Sequence, residues 1–124
     1  MNDSVQDSVS LQRKFDGYLI EAIDEALTLL GAPVKNTIYH QLEQSFNIPK
    51  TEIPKHINEF TDFLRKTFGL GATHLEIKCM QRLHSKIEVN FQITKDEWSV
   101  SKWIMEGMTF EDYVCNARNN YCKP

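Results

Sequence analysis

Residues 60–83 read FTDFLRKTFGLGATHLEIKCMQRL, and this stretch decides the fold. Phe60, Phe63, Leu64 and Phe68 recur at steps of three and four, the spacing of one face of an α-helix. Gly69 then interrupts the pattern, and Leu75, Cys79 and Leu83 begin a second stripe. Thr73 and Glu76 stand three apart, as in a capping box, where each side chain can satisfy a backbone N–H of the other. The stretch therefore predicts helix, glycine elbow, helix, the second running to about Ile87.

Upstream the same period continues. Ile53 and Ile57 extend the stripe of Phe60, Leu64 and Phe68 backwards, so a helix is expected from Thr51 as N-cap, with Glu52 and Pro54 in its first turn. Before it, Val34, Ile38, Leu42 and Phe46 mark a helix that Pro33 can open at no hydrogen-bonding cost. Asn47 and Pro49 should close that helix, because asparagine tolerates left-handed geometry and proline disfavours helix at Ile48. The first helix spans about Leu11 to Leu30, with Phe15, Leu19, Ala22, Ile23, Ala26, Leu27 and Leu30 on one face and Gly31 as a left-handed cap. Its short link to the next helix predicts an antiparallel hairpin. Met1–Ser10 is polar and is expected to be a flexible tail.

Downstream, KIEVNFQIT (residues 86–94) alternates Ile87, Val89, Phe91 and Ile93 with polar residues, which predicts a short extended segment. Thr94 with Glu97, then Val100, Trp103 and Ile104, predict a short helix ending at Gly107. Thr109 and Asp112 open a last one bearing Phe110, Tyr113, Val114, Ala117 and Tyr121. The expected fold is all-α: a compact bundle of four amphipathic helices in residues 11–88, followed by a C-terminal extension in residues 89–124, as one domain.

Composition fits this. The chain has 124 residues, 41% hydrophobic and 25% charged, within the range of globular domains. A formal net charge of -3 provides no general attraction to phosphate backbones or anionic lipid. No apolar run approaches the roughly 20 residues that span a bilayer, and Met1–Ser10 lacks the features of a secretory signal. A cytoplasmic location is the expectation. Cys79, Cys115 and Cys122 form an odd set, which favours free thiols. Cys115 and Cys122, seven apart, would lie about 10 Å apart along a helix, too far to bridge.

The run FDGYLIEAIDEALTLLG, with VKNTIYHQLEQSFNI, EIPKHINEF and FGLGATHLEI, resembles a small archaeal domain family, the Nitroso-type output domains attached to signalling proteins or found alone. The similarity covers about residues 15 to 88. It implies an archaeal, cytoplasmic, helical regulatory or interaction module with no assigned reaction, and it carries no catalytic residues over.

Sites of chemistry are sparse. His74, Cys79 and His84 are separated by steps that turn them about 140° and 280° around a helix, so they do not converge on a metal ion. Cys79 reads as a small buried hydrophobe, and His40 and His56 as solvated. Glu21, Asp24 and Glu25 read as a solvated charged face, because nothing apolar beside them would raise a carboxyl pKa. Neither a phosphate loop nor GxSxG, HExxH or a paired CxxC occurs. No cofactor and no enzymatic reaction are expected.

Two functional classes remain. The first is a protein-interaction module, self-association included, with Trp98, Trp103, Phe110, Tyr113 and Tyr121 as partner-binding candidates, since aromatics serve as interface anchors. The second is a helix-turn-helix or winged-helix DNA-binding regulator using residues 33–68, with Lys50, Lys55, His56, Arg65 and Lys66 toward phosphate and KIEVNFQIT as wing. Glu52, Glu59 and Asp62 interrupt its basic face, which favours the first reading.

Overall fold

The computed structural model describes the backbone of residues 3–91 and 109–121, and the side chains of residues 10–87 and 109–119. Within them the chain forms five α-helices, α1 (Asp3–Thr28), α2 (Ala32–Phe46), α3 (Ile57–Phe68), α4 (Gly71–Phe91) and α5 (Phe110–Tyr121), with a 3-10 helix at Lys50–Lys55. No strand occurs among the described residues. The all-α helical bundle expected from the apolar stripes is the fold observed.

α1 is the helix the others share. It packs most extensively on α4 and also meets α2, the 3-10 helix and α5, while α3 packs on α4 and α5. One hydrophobic core results, in which Phe15, Leu19, Ile23 and Leu27 of α1 meet Leu42, Phe60, Leu64, Leu83 and Ile87. Phe110, Tyr113, Val114 and Ala117 of α5 belong to the same cluster. The C-terminal helix therefore completes the core rather than extending beyond it.

The helix ends show which local signals prevailed. Asn47 adopts φ 56°, ψ 37°, and Ile48 N–H donates to Leu42 O at 3.1 Å, the left-handed closure expected of it. Thr109 caps α5, its Oγ1 accepting from Asp112 N–H at 3.2 Å. α1 ends at Thr28, earlier than Leu30, because the next turn tightens into i→i−3 bonds through Gly31 N–H to Thr28 O at 2.9 Å. Gly31 has φ 95° and ψ 149°, an extended glycine conformation instead of the expected left-handed cap, and its carbonyl accepts from Lys35 N–H to start α2.

Four further expectations are corrected. Helix begins at Asp3, within the stretch read as a tail; that stretch contains no glycine or proline to stop propagation from Leu11. Residues 50–55 form a 3-10 helix, with α3 starting only at Ile57, so Thr51 caps no α-helix. α4 starts at Gly71, two residues before Thr73, and the Glu76 carboxylate turns to Arg65 instead of closing a capping box. Finally, Ile87–Phe91 continues α4. Ile87 lies one i+4 step beyond Leu83 and is fully buried, and a helix satisfies its backbone groups internally where a lone strand could not. Gln92, Ile93 and the expected helix ending at Gly107 lie outside the described residues.

Candidate partner-binding face

The aromatic candidates divide three ways. Phe110 and Tyr113 are fully buried in the core of the single chain, so neither is available to a partner. The reason is register: both lie on the face of α5 that also buries Val114 and Ala117, and that face packs on α1, α3 and α4. Tyr121 ends α5, but its side chain lies outside the described set, as do Trp98 and Trp103 entirely.

Of the α1 carboxylates read as solvated, Glu21 is exposed as expected, while Asp24 and Glu25 are engaged by neighbouring elements. Asp24 receives Tyr39 Oη–H at 2.9 Å, Lys50 Nζ at 3.0 Å and Lys35 Nζ at 3.3 Å. It thereby ties α1 to α2 and to the 3-10 helix, and Lys50 also lies 5.1 Å from the centroid of the Tyr39 ring. Burial acts to raise the Asp24 carboxyl, but the bonds from Lys50, Tyr39 and Lys35 outweigh it and hold the group below its ordinary 3.8. Burial and then the Asp24 charge push the Tyr39 hydroxyl upward, so it stays protonated as a donor. Glu25 pairs with Lys86 at 2.6 Å and Arg82 at 3.4 Å of α4, and Asp16 accepts from Arg118 of α5 at 3.0 Å. Asp16, Asp24 and Glu25 clamp α1 onto its neighbours, a role that spacing within α1 alone could not reveal.

A second polar cluster lies between α3, α4 and α5. Arg65 donates to Glu76 Oε1 at 2.8 Å and to Glu111 Oε1 and Oε2 at 2.8 and 3.0 Å, while the Thr61 hydroxyl donates to Glu111 Oε2 at 3.1 Å. The Glu76 side chain is only 7% exposed. A buried carboxylate needs such a partner, because its desolvation is otherwise uncompensated. The bonds from Glu111 and Glu76 push the Arg65 guanidinium further up. Cys79 nearby is fully buried, and burial, followed by the Glu76 charge, pushes its thiol up to about 12. A thiol there is inert, as its place on the stripe suggested. Among the described residues, no group of three His, Cys, Asp or Glu side chains could hold a metal ion.

Several of the side chains considered for phosphate contact are thus engaged. Lys50 is held by Asp24, Arg65 by Glu76 and Glu111, and His56 Nδ1 lies 3.7 Å from Glu59. α2 and α3 are separated by residues 47–56, including the 3-10 helix, and not by a three- or four-residue turn.

What remains is surface. Four large hydrophobic residues are exposed among those described: Leu29 at 58%, Val34 at 40%, Phe46 at 44% and Leu70 at 92%. Two lie on α2, Leu29 is in the turn that leads into it, and Leu70 follows Phe68 in the α3–α4 turn. Between α2 and α3 lies a cleft of about 310 Å³, lined by Pro33, Val34, Thr37, Ile38, Gln41, Thr67 and Phe68, without a charged side chain. At the other end of α2, Phe46 leans edge-on against Phe63 of α3, with ring centroids 5.8 Å apart. A second cleft, of about 260 Å³, separates the start of α3 from α5 and carries both signs of charge, from Lys55, Arg118, Glu59 and Glu111. The individual apolar residues of the first cleft are visible in the sequence. The exposure of Val34 is not, since it has the same spacing as the buried Ile38 and Leu42.

No family model matches this chain, no curated protein matches it in sequence, and no solved structure matches its fold.

Proposed function

We propose that the chain is a non-enzymatic regulatory module that works by binding another protein surface along the α2–α3 cleft. The observation that carries this reading is the uncharged cleft between α2 and α3 with the exposed Val34 in its lining, on a helix that also exposes Phe46 at its other end. Depletion of charge with retained apolar area is the compositional mark of an interface centre. The pairing of Lys50 and Arg65 with carboxylates supports this reading over DNA binding. An archaeal, cytoplasmic signalling-output role belongs to the proposal through the resemblance of residues 15–88.

A photo-crosslinking residue placed at Gln41, on the cleft, tests it in the native host. The expected result is a discrete crosslinked product that is lost on Val34→Asp, an exposed residue of the cleft lining, and is not reproduced from Lys78, an exposed position on α4. Equal products from both positions, or none from Gln41, would remove the reading. Fluorescence anisotropy with mixed duplex DNA at low salt should show no binding, and a salt-sensitive rise in anisotropy would favour the DNA alternative.

A further inference from the structure

The cleft between the start of α3 and α5 sorts its charges by sign. On α5, Glu111, Cys115 and Arg118 follow at i, i+4 and i+7, one face of the helix, so the acid and the base are about 10 Å apart along its axis. The facing wall has the same polarity. Arg118 Nη2 donates to the Pro54 carbonyl at 3.1 Å, which puts Lys55 at the basic end. The Thr61 hydroxyl lies 3.1 Å from Glu111 Oε2 and 3.0 Å from Asn58 O, which puts Asn58 and Glu59 at the acidic end. Ile57 and Val114, both buried, line the cleft between them.

The four charges differ in how far they are already satisfied. Glu111 is fixed by Arg65 and Arg118 by Asp16, but Arg118 uses only Nη2 for its bonds, leaving the N–H groups of Nε and Nη1. Lys55 is exposed and has no ion-pair partner among the described residues. Glu59 is 56% exposed, and His56 Nδ1, at 3.7 Å, is beyond hydrogen-bond reach of it. A simple ion of either sign is repelled by one end of such a cleft. A molecule with a cation and an anion about 10 Å apart meets both ends, and in one orientation only.

We propose that this cleft binds a short peptide with free ends, its terminal carboxylate on Lys55 and Arg118 and its terminal ammonium on Glu59 beside Glu111. An extended chain advances about 3.3–3.6 Å per residue, so about three residues join the two ends, whereas a single α-amino acid holds its charges too close together. The volume of about 260 Å³ suits so small a ligand. The site shares no lining residue with the α2–α3 cleft and is independent of the protein-binding reading.

Triglycine tests the proposal, titrated into the millimolar range against the whole chain and followed by backbone amide NMR shifts, with N-acetyl-triglycine, triglycine amide and glycine as comparisons. The expected result is saturable shifts at Lys55, Glu59 and Cys115, and slower alkylation of Cys115 by iodoacetamide in a Cys122→Ser background, since Cys115 lines the cleft. Each singly blocked peptide should bind roughly tenfold more weakly, the scale of one charge-assisted hydrogen bond, and added salt should weaken triglycine. Lys55→Met should remove most of the difference between triglycine and its amide while keeping that between triglycine and its acetyl form, and Glu59→Gln should do the reverse. Both positions are exposed, so the two variants should keep the unfolding midpoint of the parent. Val34→Asp, on the other cleft, should change none of these affinities. Shifts that do not saturate, glycine or a peptide blocked at both ends binding as well as triglycine, or an affinity pattern unmoved by both variants overturns the proposal and leaves the protein-binding reading, tested from Gln41, where it stands.

Discussion

Arg65 joins three helices through one guanidinium. Burial acts to raise the Glu111 carboxyl, but bonds from Arg65, its own backbone and Thr61 outweigh this and hold it below its ordinary 4.5. A carboxyl depressed in the folded state stabilises fully above its unfolded value and loses that contribution as pH falls through the folded one. Stability should therefore decline below about pH 4.5, with Asp24 adding to the decline further down, since its carboxyl is also depressed. Arg65→Met should cost about 2 kcal/mol at neutral pH, reduced from a fully buried pair because Arg65 is 39% exposed. The same variant should show a shallower acid decline, measured as urea midpoints across pH, because Glu111 is no longer depressed. The cysteines provide a second residue-scale check. In a Cys122→Ser background, iodoacetamide should modify the exposed Cys115 in the native protein and reach the buried Cys79 only on unfolding.

Two glycines within or between helices separate conformational effects from contact effects. Neither Gly17 nor Gly69 has any atom within 4 Å of a Cβ built upon it. Gly17 lies inside α1, so Gly17→Ala should stabilise by roughly 1 kcal/mol through helix propensity. Gly69 combines φ 57° with ψ -125°, a pair that L-residues rarely adopt, so Gly69→Ala should destabilise by about 1–2 kcal/mol. Chemical denaturation of the two variants would show shifts of opposite sign. Equal shifts would mean that the α3–α4 turn has another conformation. Gly71, by contrast, starts α4 and would bring a Cβ within 3.7 Å of Phe68 Cβ, an ordinary contact. Gly69 is thus the residue that sets the elbow and leaves Leu70 at the surface.

For the molecule as a whole, α1 provides both the apolar centre and the ionic clamps, and α5 closes the core against it. Phe110→Ala should cost about 3–5 kcal/mol, the range for emptying a fully buried aromatic site. A loss under 1 kcal/mol in thermal or urea unfolding would contradict the shared core. Residues 11–88 alone would lack Phe110, Tyr113, Val114 and Ala117, and should unfold far more easily than the whole chain. The described helices provide no candidate membrane span.

The helical class, the stripes of α1 to α4, the closure at Asn47 and the N-cap at Thr109 were set by the sequence itself, because period and capping act over three or four residues. Where two local patterns competed, tertiary packing chose. Ile87 belongs to both an alternating run and an i+4 stripe, and its burial against the core settled it as helix. Glu76 could cap its own helix or cross to Arg65, and a cation 2.8 Å away on α3 decided the second. Asp24 looked like one charge among several until α2 and the 3-10 helix brought Tyr39, Lys35 and Lys50 to it. Above all, a stripe records how apolar a face is but not whether another element covers it. Only the packed structure left Val34 and Leu70 uncovered while burying Phe110 and Tyr113, because coverage depends on residues far apart in the chain.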